Sequence, residues 1–140
     1  IILAGRRLND SMGEYVASEI IKLMIDKDIR IKNAEILVLG ITFKENCPDV
    51  RNTKVVDVIS ALKGYNTNVT IYDPWANEKE VLHEYNLVSV KELPKDKFDT
   101  IVLTVAHNEF KNIDLSMFKK ENAIIYDVKG ILDEKADAKL

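Results

Sequence analysis

Four short apolar runs constrain the fold most: EILVLGI from Glu35 to Ile41, VTIY from Val69 to Tyr72, TIVLTVA from Thr100 to Ala106 and AIIYDV from Ala123 to Val128. They are rich in β-branched residues and nearly free of polar alternation. A strand with one wet face alternates, whereas a strand covered on both faces of a parallel sheet reads as a continuous apolar run. Between the first two runs, NTKVVDVISALKG sets Val55, Val56, Ile59 and Leu62 at helical spacing, with Asn52 or Thr53 as N-cap and Gly64 as the stop. This strand–helix–strand pattern predicts an α/β fold, a Rossmann-like parallel sheet with helices on both faces. A further helix is expected from Asn77 to Tyr85, a short strand near Leu87 to Val90, and a looser helical segment between Asn108 and Lys120.

An N-terminal helix precedes the sheet. Tyr15, Val16, Ile20, Leu23 and Met24 recur at three and four, which predicts a helix from Met12 to about Asp28. Ser11 and Glu14 have capping-box spacing, and the upstream Leu3 to Leu8 stretch equally permits continuation from an earlier helix. The chain opens with isoleucine rather than methionine, so a fragment of a longer protein is expected.

Composition narrows the function classes. At 140 residues, 46% hydrophobic and 31% charged, the chain fits one globular domain. No apolar stretch approaches the roughly 18 to 20 residues that cross a bilayer, so no membrane partner and a cytoplasmic location are expected. Cys47 is the single cysteine, which excludes an internal disulfide framework and leaves no zinc pattern; no metal is expected. A net charge of -3 with scattered lysines argues against a nucleic-acid partner.

Parallel sheets bind ligands beyond the carboxyl ends of their strands. There the first strand delivers Thr42, Phe43 and Lys44, the second Asp73 and Pro74, the third His107, and the last Asp127 and Lys129. Arg51 stands just before the crossover helix, whose N-terminal dipole favours an anion. The set suits a phosphate. Yet LGITFKENCPDVRNT carries one glycine where a dinucleotide turn has the G-x-G-x-x-G pattern, so charged side chains would have to replace bare amides. Each residue also has a structural reading. Lys44 and Lys129 fit ordinary solvated lysines, Arg51 fits a partner for Asp49, and Cys47 fits an inert thiol better than a nucleophile. His107 reads best as a strand-end cap and Asp73 as a turn initiator, although Asp73 also mimics a ribose-binding acid.

GRRLND near the start, LGITFKENCPDVRNTKVVDVI, YDPWA and IIYDVKGIL together resemble the carboxyl-terminal domain of the UDP-glucose/GDP-mannose dehydrogenase family, across nearly the whole chain. The FKENCPDVRNTK wording is similar to members that oxidise UDP-N-acetylhexosamines for surface polysaccharides. The resemblance implies residues 1–32 as the end of a central helical dimerisation region and 33–140 as a Rossmann-like UDP-sugar-binding domain. It implies a parent enzyme, a homodimer or higher, with an amino-terminal domain that binds most of the NAD. In such enzymes C6 of the sugar is oxidised twice through a cysteine-bound intermediate. That cysteine lies in a GGxCxPxD segment which this chain lacks; Cys47 is in a different motif, so no catalytic residue is expected here.

By the same resemblance, Phe43 and Lys44 match the FK pair at the UDP-sugar, Arg51 an arginine that reaches NAD, and Lys129 a basic substrate contact. Relatives acting on UDP-glucose usually carry arginine at the last position; lysine keeps the charge without the bidentate fork. A free-standing flavodoxin-like binding module is the alternative. A response-regulator-like domain would need an acidic cluster where ITFK stands.

Overall fold

The apolar runs become the central strands of one parallel sheet. The computed structural model describes residues 2–140, with side chains from Met12 onward. Strands β1 (Glu35–Leu39), β2 (Asn68–Tyr72), β3 (Ser89–Val90), β4 (Phe98–Leu103), β5 (Lys119–Asp127) and β6 (Ala138–Lys139) lie in the order β3-β2-β1-β4-β5-β6. Every pairing is parallel. This is the order of a doubly wound fold, and it reverses between β1 and β4. Sequence analysis did not anticipate β6, a two-residue edge strand.

Side chains alternate across each strand, so β1 feeds two cores. Ile36 and Val38 pack on one face with Val16, Ile20 and Met24 of helix α1 (Ile2–Asp26) and Val58, Ile59 and Leu62 of α2 (Val55–Gly64). Val81 of α3 (Glu78–Tyr85) belongs to the same core. Leu37 and Leu39 face the other way, against Phe110, Leu115 and Leu132. Phe110 and Leu115 come from short 3-10 turns at Asn108–Asn112 and Leu115–Met117, which form the looser helical segment. Burying each of these large side chains stabilises the fold by about 1.5–3 kcal/mol.

Helix ends follow side-chain chemistry. Asn77 caps α3, its Oδ1 accepting from the Lys79 and Glu80 amides. The cap of α2 is Lys54, which makes no side-chain cap bond, rather than Asn52 or Thr53. Thr53 still contributes, because its Oγ1 accepts from the Val55 amide at 3.3 Å. Ser11 lies inside α1 rather than at its start, and its side chain is outside the described residues. Gly64 is not the stop residue. The left-handed positions that end the three helices are Asp28 (φ 58°), Asn66 (φ 66°) and Asn86 (φ 55°). At α1 the Asp28 amide donates to Ile25 and the Ile29 amide to Met24, a Schellman closure made without glycine. Among the described residues every non-glycine with positive φ is Asn or Asp, the types that tolerate this region.

Two glycines are required by close approach. A Cβ on Gly13 would lie 2.5 Å from Asp57 Cβ and 2.7 Å from the Asp57 carbonyl carbon, so α1 and α2 touch backbone to backbone there. Gly40, just after β1, has φ 101°, and a Cβ on it would lie 2.5 Å from Val105 Cβ. Gly40→Ala meets both backbone strain and overpacking, and is expected to lower unfolding stability by about 2–4 kcal/mol. Gly13→Ala gains helix propensity against the same overpacking and should cost about 1–2 kcal/mol. Urea unfolding of the two variants tests this; equal midpoints with wild type would show that the helices and the turn yield freely.

Candidate functional site

Asp73 ends β2 with no solvent exposure, so its carboxylate must find donors inside the protein. Oδ1 accepts from the Trp75 and Ala76 amides at 2.8 and 3.2 Å, which is the turn expected of Asp-Pro. Oδ2 accepts from the Ile41 and Thr42 amides at 2.7 and 3.1 Å, across 32 and 31 residues of sequence. His107 Nε2 is also 3.1 Å away. His107 is fully buried, so it does not join the two lysines at an open rim. It is a cap. Its Nδ1 accepts from the Asn46 amide at 2.9 Å, and the network therefore assigns the ring proton to Nε2. Nε2 faces both Asp73 and Thr42 Oγ1, and the Thr42 hydroxyl donates onward to the Lys44 carbonyl at 3.0 Å.

Asp127 repeats the device at the end of β5. Its Oδ1 accepts from the Lys129 and Gly130 amides and its Oδ2 from the Leu132 amide at 2.7 Å. The loop presenting Lys129 is thereby fixed by one buried carboxylate. Thr104 turns the chain after β4, its hydroxyl lying 3.0 and 2.6 Å from the Leu39 and Gly40 carbonyls.

These loops border a groove of 260 Å³ at the carboxyl ends of β1, β4 and β5, where the strand order reverses. Phe43, Thr42, Thr104, Val105, Val128 and Lys129 line it from the sheet side, Thr53, Lys54, Val55, Asp57 and Val58 from the start of α2, and Met12, Gly13 and Val16 from α1. Phe43 is 57% exposed although it is a large apolar side chain. The structure thus brings Phe43 and Lys129 together. Lys44 is exposed and does not line the groove. Arg51 is elsewhere, in an open depression with Cys47, Trp75, Glu80, Glu84 and Lys91. It forms the expected surface pair with Asp49, Nε and Nη2 reaching the carboxylate at 3.0 and 3.3 Å. Hydrogen bonds from the Arg51 side chain and amide hold the Asp49 carboxyl below its ordinary value. Sequence reasoning missed Lys54, the α1 wall and Asn46, whose φ of 54° and bond to His107 carry no local signature.

The family model for the UDP-glucose/GDP-mannose dehydrogenase family, UDP binding domain, matches residues 37–134. The chain belongs to this family. It is 45% identical over 144 residues to a UDP-N-acetyl-D-glucosamine 6-dehydrogenase of Salmonella typhi, covering 100% of this chain and 34% of that protein. It is 41% identical over 137 residues to Protein CapL of Staphylococcus aureus, covering 95% and 32%. A solved UDP-D-ManNAc dehydrogenase of Pyrococcus horikoshii superposes with a TM-score of 0.75 at 21% identity, over 96% of this chain and 31% of that one, and so supports the fold. The chain spans about a third of the length of the curated relatives it matches. Family membership sets aside the flavodoxin-like reading. Among the described residues no helix is long and apolar enough to cross a membrane, and no cluster of three or more metal-ligating side chains occurs.

The buried network around Asp73 is testable by pH. Desolvation raises the Asp73 pKa, but the His107 bond and the Ile41 and Trp75 amides outweigh it and hold the carboxyl below its ordinary value. The resulting stability is complete above the unfolded aspartate pKa of ~3.9 and is lost as pH falls through the lower folded value. Asp73→Asn turns an amide NH2 toward backbone donors and should cost roughly 3 kcal/mol or more at neutral pH. It should also flatten the acid limb of stability against pH, measured as urea midpoints from pH 7 downward. An unchanged acid limb would show that Asp73 does not carry it.

Proposed function

We propose that this chain is the UDP-sugar-binding carboxyl-terminal domain of an NAD-dependent nucleotide-sugar 6-dehydrogenase, one that makes UDP-uronic acids for capsule or O-antigen polysaccharide. The observation that carries the reading is the groove at the strand-order reversal, lined by Phe43 and Lys129 inside the matched segment. An exposed phenyl ring offers a stacking face, and Lys129 with Lys54 supplies positive charge for a diphosphate. Lys44, on the same loop as Phe43, adds charge at the margin. The sugar would be a UDP-N-acetylhexosamine, in keeping with the names of the relatives.

The turn after β1 does not suit a dinucleotide pyrophosphate. Its Ile41 and Thr42 amides already donate to Asp73, and Gly40 is its one glycine. NAD, the oxidant in this reading, therefore belongs mainly to an amino-terminal domain of the parent chain. Arg51 is this domain's contact with it, reached by exchanging its surface pair with Asp49, which costs little because such pairs are weak. The parent would work as a homodimer or higher.

The chain alone is expected to bind UDP in titration calorimetry and to produce no NADH with any UDP-sugar, since it lacks the cysteine segment. Phe43→Ala and Lys129→Ala should each weaken UDP by about tenfold or more. Absence of UDP binding by the folded wild-type chain overturns the groove assignment, and NADH production overturns the assignment of parts. In the full-length parent, Lys44→Ala should mainly raise the KM for UDP-sugar and Arg51→Ala that for NAD, each by roughly ten- to hundredfold. Steady-state titrations varying one substrate at a time decide this, with thermal unfolding as control; equal loss of the same substrate in both variants refutes the division of labour.

A further inference from the structure

Resting on the groove assignment above, we infer that His107 is a positioning residue for the ligand, clamping the loop that carries Phe43 and Lys44 through its Nδ1 contact with the Asn46 amide. The ring has two separable jobs. Nε2 faces Asp73 and Thr42, both buried, and so belongs to the network that joins the ends of β1, β2 and β4. Nδ1 accepts from the amide of Asn46, an exposed residue three positions after Phe43. Asn46 is gripped a second time, its Oδ1 accepting from the Asn108 amide at 3.0 Å. Its φ of 54° is one that asparagine tolerates better than most side chains. At the loop's other end the Phe43 amide donates to the Asp49 carbonyl at 2.7 Å. An exposed loop held at both ends keeps Phe43 at the groove, and Lys44 at its margin, ordered before binding, so less ordering entropy opposes the ligand.

The two ring nitrogens can be tested apart. The Oδ1 of an asparagine stands near where His Nδ1 stands, and the Nε2 of a glutamine near where His Nε2 stands. His107→Asn therefore keeps the acceptor for Asn46 and loses the donor to Asp73; His107→Gln does the reverse. Calorimetric titration of UDP into each chain should show His107→Gln binding about tenfold more weakly than His107→Asn, while urea unfolding ranks His107→Gln the more stable. Hydrogen exchange without ligand should show the Asn46 amide unprotected in His107→Gln and protected in His107→Asn. A purely structural histidine would make affinity follow stability in both variants, and that result overturns the inference. Should both variants fail to fold, the wild-type chain decides: hydrogen exchange should show the Asn46 amide, which donates to His107 Nδ1, as protected without UDP as with it. An Asn46 amide protected only when UDP is bound also overturns the inference. Failure of the wild-type chain to bind UDP overturns the groove assignment itself, and this inference with it; binding by wild type together with parallel losses overturns the inference alone.

Discussion

A carboxylate shut away from water at the end of a strand is tolerable only when nearly every lone pair is met, and the arrangement around Asp73 follows from that demand. Four backbone amides and the His107 ring converge on it. Two of the amides come from its own turn and two from the turn after β1, so the ends of neighbouring strands are held in one geometry. His107 brings the end of β4 into the same knot. Removing the charge would not merely delete one bond; it would leave several donors facing each other in a low-dielectric interior, which is why such a site is costly to disturb.

That knot also leaves fewer free amides at the end of β1. In a dinucleotide fold the amides after the first strand stay free for phosphate, and glycines let the ligand come close. Here the protein's own carboxylate occupies the Ile41 and Thr42 amides, and Val105 packs against the one glycine. Under the proposed function, recognition would pass to side chains. Phe43, Lys54 and Lys129 surround the groove that remains, and the backbone beneath them is already satisfied. In that reading the same strand order would support a different chemistry, because the Asp73 carboxylate already takes the amides that an anion would need.

Much of the architecture was legible because its cause is local. β-branched runs named the four long strands, and Asn77 announced the start of α3 through its side-chain cap. What escaped was non-local. β6 has no strand-like composition; Ala138 and Lys139 pair with β5 beside Asp137, which accepts from the Ile125 amide. The end of α2 was assigned to Gly64 from glycine's usual role, whereas Asn66 adopts the left-handed backbone two residues later. At the site, Phe43 and Lys129 could be named from motif resemblance, and their meeting at one groove is a property of the fold. His107 was legible as a cap, but the groups it caps were not. Its partners lie 34, 61 and 65 residues away, and nothing in the neighbouring sequence marks it as buried.

The loop from Gly40 to Lys54 separates two surfaces. On one side lies the groove with Phe43 and Lys129; on the other lies the depression with Arg51 and Trp75. Trp75 sits on the Asp73 turn, donates to Glu109 at 3.0 Å and stacks over His107 with ring centroids 5.9 Å apart. Both surfaces are therefore anchored to the same buried pair. A displacement of the loop toward either ligand would have to pull the Ile41, Thr42 and Asn46 amides from Asp73 and His107, and the low dielectric around that pair opposes it. Two ligands meeting on this domain would then find fixed walls rather than a moving partition. Under the proposed function, their relative placement would be left to a further domain of the parent protein.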